Sequence, residues 1–239
     1  MEKESSPREA FVLYYGILEA YEAVGLELVG DDIVEKYVVP KMAYYLKNFV
    51  PHFLGNSPEE KSNEFLHELL SRLKEKLELA QSSESTRFDL SEVWELRAAI
   101  FGYESVFIEV LGESVIKNYV FTKISDYLAD YLPEVFSLTN MTLEQKFENY
   151  IRYLKDSELV QFAEYSLSKV EESFQVQVRT NKCIFARIHD SEAYNDSKVR
   201  FCPWGMIGAS IIARHEGLET NITKCQFATR GTISDIKAE

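Results

Sequence analysis

The stretch YEAVGLELVGDDIVEKYVVPKMAYYLKNFVP, Tyr21 to Pro51, returns 82 residues later as YESVFIEVLGESVIKNYVFTKISDYLADYLP, Tyr103 to Pro133. The gapless pairing gives 11 identities in 31 positions, among them Tyr21/Tyr103, Gly30/Gly112, Lys41/Lys123 and Pro51/Pro133. Shared helical periodicity would match residue class but not identity, so the chain carries an internal duplication. The period is too long for a solenoid repeat, which makes this a doubled module and not an array.

Each copy reads as helix, tight link, helix, loop, helix. Val12, Ile17, Tyr21, Val24 and Leu28 recur at three and four and mark a core-facing helix over about Glu9–Val29. Gly30 and Gly112 stand where those helices stop, through the left-handed conformation that glycine tolerates. The second helices run to Pro51 and Pro133, where proline breaks them. Ser57-Pro-Glu-Glu60 and Thr142-Leu-Glu-Gln145 both spell a capping box at the start of the third. The polar run Gln81-Ser-Ser-Glu-Ser-Thr86 marks a linker over 81–88, so copy one spans 1–80 and copy two 89–172.

The texture changes toward the C-terminus. A last amphipathic helix is predicted from Leu159 to Glu172. Phe174-Gln-Val-Gln-Val alternates as a strand does, with Lys182 to Ile188 continuing it. Asp190 to Ser197 is polar loop. Pro203, at a first helical position, opens a helix through about His215 that Gly217 ends. Asn221–Ala228 and Thr232–Lys237 form two strands turning at Arg230-Gly231. The fold class is therefore α+β: a duplicated helical body with a β-α-β-β subdomain, residues 173–239, packed on copy two.

Charge follows the same division. Residues 1–85 and 86–172 carry net charges of −7 and −8, while 173–239 carry +2, for −13 in all. An acidic body repels phosphate backbones and disfavours nucleic acid as a partner. The N-terminus has no signal-peptide pattern, and no stretch approaches the 18 or so apolar residues of a membrane span. Three cysteines do not make a disulfide framework, and the reading is a cytoplasmic protein with reduced thiols, in which the sequons at Asn140, Asn195 and Asn221 are accidental.

Candidate chemistry collects in the tail. Cys183, Cys202 and Cys225, with His189 and His215 nearby, are the residue types of a zinc site, but their spacings contain no C-x₂-C pair. Packing as small hydrophobes and reaction as nucleophiles are the competing roles. Phe201, Cys202, Trp204 and Phe227 would line an apolar pocket for a small molecule, the alternative being a solid core. Gly205, Gly208, Ala209 and Ser210 give the helix a small face for close approach to the sheet or to a ligand. Tyrosines such as Tyr37, Tyr44, Tyr45, Tyr119 and Tyr127 either pack between helices or form an interface, in a homodimer or with another protein. His52 and His67 face Glu134 and Arg152 in copy two, so a metal or haem role shared by both copies is disfavoured. Nucleotide-binding, metalloprotease and serine-hydrolase motifs do not occur, and neither a nucleotide nor haem is expected.

Helices followed by a strand, FCPWGMIGASIIA (201–213), a glycine and ITKCQFATRGT (222–232) resemble the 4-vinyl reductase type of small-molecule-binding domain, over roughly Asp89–Glu239. That family is akin to the TRAPP vesicle-tethering subunits and the haem nitric-oxide-binding domains. The resemblance implies a non-catalytic ligand-binding or sensing protein, or a TRAPP-like assembly protein. Sensor members bind zinc through an early cysteine and E-x-x-C-x₇-C; Cys202 and Cys225 match two of those thiols. Ile222 and Ile233 stand in place of the glutamate and the last cysteine, and Cys183 would have to substitute. A second similarity, to L-2-amino-thiazoline-4-carboxylic acid hydrolase-like proteins, rests on the Phe-x-Val-x-Val strand, a C-x-x-A step and a later C-x-F. It implies a hydrolase using Cys202 or Cys225.

Overall fold

A computed structural model describes residues 7–49, 62–82, 88–131, 140–157, 159–171, 173–183, 201–228 and 231–239. The chain forms two compact units, Met1–Val110 and Leu111–Glu239. The first holds α1 (Pro7–Val29), α2 (Asp31–Ile33), a π-helical turn (Val34–Val38), α3 (Val39–Phe49), α4 (Ser62–Ser82) and α5 (Leu90–Val110). The second holds α6 (Glu113–Val115), a π-helical turn (Ile116–Val120), α7 (Phe121–Tyr131), α8 (Leu143–Asp156), β1 (Val160–Val170), β2 (Ser173–Cys183), α9 (Pro203–Glu216), β3 (Thr220–Ala228) and β4 (Gly231–Ala238). Architecture is thus α+β with a C-terminal sheet, as the sequence indicates. The units divide after α5, so the first helix of copy two belongs to the same unit as copy one.

The duplication extends to backbone geometry. Every boundary of α2, the π turn and α3 recurs 82 residues later, and the two π turns bury equivalent residues, Val34 and Val38 in one, Ile116 and Val120 in the other. In both, the next residue bonds back five positions, Val39 to Val34 and Phe121 to Ile116. Pro40 follows the first turn and has no N–H to give, but Thr122 occupies the same place in the second. Proline is therefore not the cause of the wide turn.

The glycine stops differ. Gly30 lies at φ 75°, a conformation glycine alone adopts without strain, whereas Gly112 has an extended φ of −71°. The left-handed helical stop expected at both positions forms at neither, since Gly30 pairs its positive φ with a ψ of 166°. The capping box at Thr142 forms in full: the Gln145 N–H donates to the Thr142 hydroxyl, and the Thr142 N–H to the Gln145 side chain. The matching box at Ser57, Pro51, Pro133 and most of the linker lie outside the described residues.

In the first unit the equivalent helices α1 and α5 pack on each other. Gly25 lets Tyr103 approach to where a Cβ would sit 2.8 Å from the ring, and Tyr21 stacks on Phe107 at 6.1 Å. Gly102 does the same for α3, against Met42 and the Val38 carbonyl. Tyr21 donates to Glu104 at 3.0 Å, and Arg97, lying over the Phe101 ring, neutralises that buried carboxylate from 3.1 Å. Breaking one partner of such a pair costs far more than the pair contributes, because a charge is left buried and alone. Arg72 and Lys76 of α4 pair with Glu95 and Glu92 of α5.

The second unit is a four-stranded antiparallel sheet, order β1-β2-β4-β3, with one face covered by α9. The helix expected over 159–172 is strand β1. Its apolar residues Val160, Ala163, Leu167 and Val170 fall at helical spacing, but ten cross-strand pairs with β2, from Val160↔Cys183 to Val170↔Ser173, hold it extended. The subdomain is therefore β-β-α-β-β. Alternation predicts β2 correctly as far as Cys183; residues 184–200, including His189 and the polar loop, lie outside the described residues. Helix α9 starts at Pro203 and ends on Gly217, which is left-handed at φ 69°, as its residues require.

Helix α9 lies very close to the sheet. A Cβ on Gly205 would come within 2.6 Å of the Ser234 hydroxyl, and one on Gly208 within 2.9 Å of Ile236. Its Ser210 donates to the Ser125 carbonyl of α7 and the Met206 carbonyl of α9, which ties it to α7. Gly231 is tighter still: a Cβ there would stand 1.9 Å from the Thr180 carbonyl oxygen. Gly231→Ala should therefore destabilise the protein by about 3 kcal/mol or more, the upper end of overpacking costs. Thr142→Ala should cost only about 1 kcal/mol, a lost cap. Urea unfolding of the two variants measures both.

Candidate functional site

The inner face of the sheet carries a column of small polar groups where an apolar core is the rule. Even-numbered residues of β2 and β4 face α9, which buries Thr180, Thr232 and Ser234 beside Val178 and Ile236. Strand β3 joins them through an irregularity. Ile222 pairs with Ile236, but Lys224 pairs with Asp235 and Cys225 with Ser234, so Thr223 is an extra residue, a β-bulge. Without it Cys225 would point to the outer face; with it the thiol turns inward.

Cys202 comes from the other side, as the N-cap of α9. Its sulfur lies 3.0 Å from the Thr232 hydroxyl, which in turn lies 3.0 Å from that of Thr180. Ser234 donates to Cys225 at 3.5 Å. Cys202 is 4% exposed, and Cys225 is partly exposed; neither is in a disulfide. Burial pushes the Cys202 thiol up, but hydrogen bonds from the Cys225 thiol, the Thr232 hydroxyl, the Gly205 N–H and the Ser234 hydroxyl outweigh it and bring it down to about 6. The positive end of α9 acts in the same direction. Tyr150 completes the surroundings: burial, then the Cys202 charge, raise its hydroxyl well above the ordinary range, and it donates to the Trp204 carbonyl at 2.9 Å.

Of the residues singled out from sequence, the structure brings Cys202 and Cys225 together. Cys183 sits buried at the end of β2 opposite Val160, after Lys182 at a positive φ of 52°. Among the described residues no three His, Cys, Asp or Glu side chains are placed to hold a metal ion, so the zinc set of Cys183, Cys202 and Cys225 is not assembled. Phe201 and Trp204 are 1% and 2% exposed and packed in the core, Phe201 edge-on to Phe121 at 5.1 Å. Phe227 lies on β3 opposite Thr232, its side chain outside the described residues. His215 stands at the far end of α9 from Cys202, about 20 Å away at the helical rise, and pairs with Glu216. It is no base for that thiol.

The outer face offers a different feature, which the sequence reading missed. Ser166 and Ser168 of β1, Gln175, Val176 and Gln177 of β2, Thr223 of β3, and Asp235, Ile236 and Lys237 of β4 line a groove of about 460 Å³, open to solvent on one side. Gln177 donates to Asp235 at 2.7 Å and Thr223 to the Asp235 carbonyl at 3.2 Å, so the lining is already ordered. Gln175, Gln177, Thr223, Asp235 and Lys237 fall on strands that the sequence indicates, whereas Ser166 and Ser168 fall on β1, expected as a helix. No protein-family model, curated protein or solved structure matches the chain.

A thiol lowered in the folded state favours folding most above its unfolded value and loses that contribution as pH falls through the folded one. Wild-type stability should therefore rise from about pH 6 to about pH 9 relative to Cys202→Ser. Over the same titration the native protein should gain thiolate ultraviolet absorption near pH 6 that the variant lacks. Absorption appearing only near pH 9 would refute the site's electrostatics.

Proposed function

We propose that this chain is a non-catalytic small-molecule-binding or sensing protein, with recognition in its C-terminal unit. The observation that carries the reading is the outer-face groove, whose volume of about 460 Å³ falls within the range of small-molecule sites. Its lining of hydroxyls, amides, one carboxylate and one ammonium, with Val176 and Ile236 between them, suits a small, mainly polar ligand in place of the apolar one expected around Trp204. The 4-vinyl-reductase-like resemblance of residues 89–239 agrees with binding rather than turnover. So does the burial of Cys202, because a hydrolytic nucleophile needs an open cleft and a base beside it.

An assembly role is the second reading, favoured by Tyr37 and Tyr44 on the first unit, 48% and 53% exposed. Rings at that exposure are the residues of an interface rather than of a core.

Native mass spectrometry of the purified chain separates the two. Ligand binding predicts a monomer carrying a small polar adduct that denaturation releases, or one acquired from a panel of small polar metabolites. Asp235→Ala removes the carboxylate that orders the groove and should weaken that binding about tenfold, the worth of one charge-assisted hydrogen bond. A homodimer without adduct, indifferent to Asp235→Ala, would favour assembly.

A further inference from the structure

Cys202 and Cys225 meet through three independent features: the N-terminus of α9, the Thr223 bulge, and the Gly205 contact that brings the helix onto β4. Each costs regular structure or packing freedom. A buried core position needs none of them to hold a small hydrophobe. Beside the pair stand two hydroxyls of β4, that of Thr232 at 3.0 Å from the Cys202 sulfur and that of Ser234, which donates to Cys225. Hydroxyls so placed stabilise a thiolate by donating to it. The two sulfurs also differ in access, Cys225 being partly exposed and Cys202 buried.

We propose that Cys202 and Cys225 are a reversible dithiol–disulfide pair, a redox site on the inner face of the sheet, oxidised by a small hydroperoxide. The partly exposed Cys225 is the entry sulfur. It attacks the terminal oxygen of the hydroperoxide while its proton passes to the neighbouring Cys202 thiolate. The O–O bond breaks, an alkoxide (hydroxide from hydrogen peroxide) leaves to be protonated by solvent, and Cys225 becomes a sulfenic acid. The Cys202 sulfur then attacks the Cys225 sulfur, an S–S bond forms, and its proton leaves with the hydroxide as water. Two electrons pass from the sulfurs to the peroxide oxygens. A small thiol reverses the reaction by exchange. Cys183, at the end of β2 opposite Val160, takes no part. The pair faces away from the groove and does not depend on its having a ligand.

Hydrogen peroxide applied to the full native chain, followed by thiol counting and non-reducing peptide mapping, tests this. The expected result is a fall from three free thiols to one. The map should show one cross-linked peptide joining Cys202 to Cys225, two hydrogens lighter and restored by dithiothreitol. Cys183→Ser should leave that cross-link intact. Cys225→Ser should remove it and leave Cys202 unreacted or stopped short of a disulfide. Should Cys225→Ser fail to fold, mapping of the wild-type chain alone decides the matter. A native protein that keeps three thiols under peroxide that oxidises the urea-unfolded chain would overturn the proposal, as would a cross-link through Cys183.

Discussion

The second unit depends on how closely α9 can approach β4. Gly205 and Gly208 leave no space for a Cβ above Ser234 and Ile236, so the helix axis settles nearer the sheet than side chains of ordinary size would permit. The consequences follow in sequence. The helix N-terminus falls over the polar column of Thr180, Thr232 and Ser234, Cys202 reaches Thr232, and the Trp204 carbonyl comes within reach of Tyr150. One turn further on, Ser210 is small enough to bond the Ser125 carbonyl directly. Dense packing of this kind transmits displacement, because a close-packed interior has no slack to absorb an added methyl. Gly231 applies the same rule between strands, where β4 passes the Thr180 carbonyl.

The duplicated segment shows what a fold retains when it is copied. Both copies keep a π-helical turn at equivalent residues, although one is followed by proline and the other by threonine. A π turn widens the helix and weakens its hydrogen bonds, so it persists only where packing compensates. Here the compensation is burial of the same two positions, Val34 and Val38 or Ile116 and Val120. The extra residue per turn rotates the apolar stripe, so Met42, Tyr45 and Leu46 of α3, and Ile124 and Leu128 of α7, continue the buried face. The copies have nonetheless been put to different use. The first helix of copy two packs with copy one in the first unit, while its remaining helices support the sheet in the second.

Features governed by local chemistry could be read from the sequence. The Thr142 box, the Pro203 start and the Gly217 stop each depend on a few adjacent residues, and each forms. Those governed by strand pairing could not. Val160, Ala163, Leu167 and Val170 repeat at three and four, and only the partner strand β2 makes them a sheet edge rather than a helix face. Gly30 and Gly112 occupy equivalent positions yet take opposite signs of φ, which identity at a position cannot announce. For the candidate site, Cys202 and Cys225 were legible as residues of interest but not as a pair. The bulge that aims Cys225 inward depends on Thr223 having no partner across the ladder, and nothing in Ile222-Thr-Lys-Cys225 itself signals that.

Thr223 also explains how one short edge strand serves two faces. In a regular strand, alternate residues would send Ile222 and Lys224 inward, burying an ammonium beside Ser234, and Cys225 outward into water. A buried lysine without a partner costs several kcal/mol or gives up its charge. The inserted residue resolves this: Lys224 returns to the solvent side opposite Asp235, and Cys225 takes the inner place opposite Ser234. Thr223, relieved of pairing, turns its hydroxyl to the Asp235 carbonyl and becomes part of the groove wall. The bulge therefore builds the thiol pair on one face and part of the polar groove on the other. The thiol pair on the inner face and the polar groove on the outer share the same irregularity in the backbone.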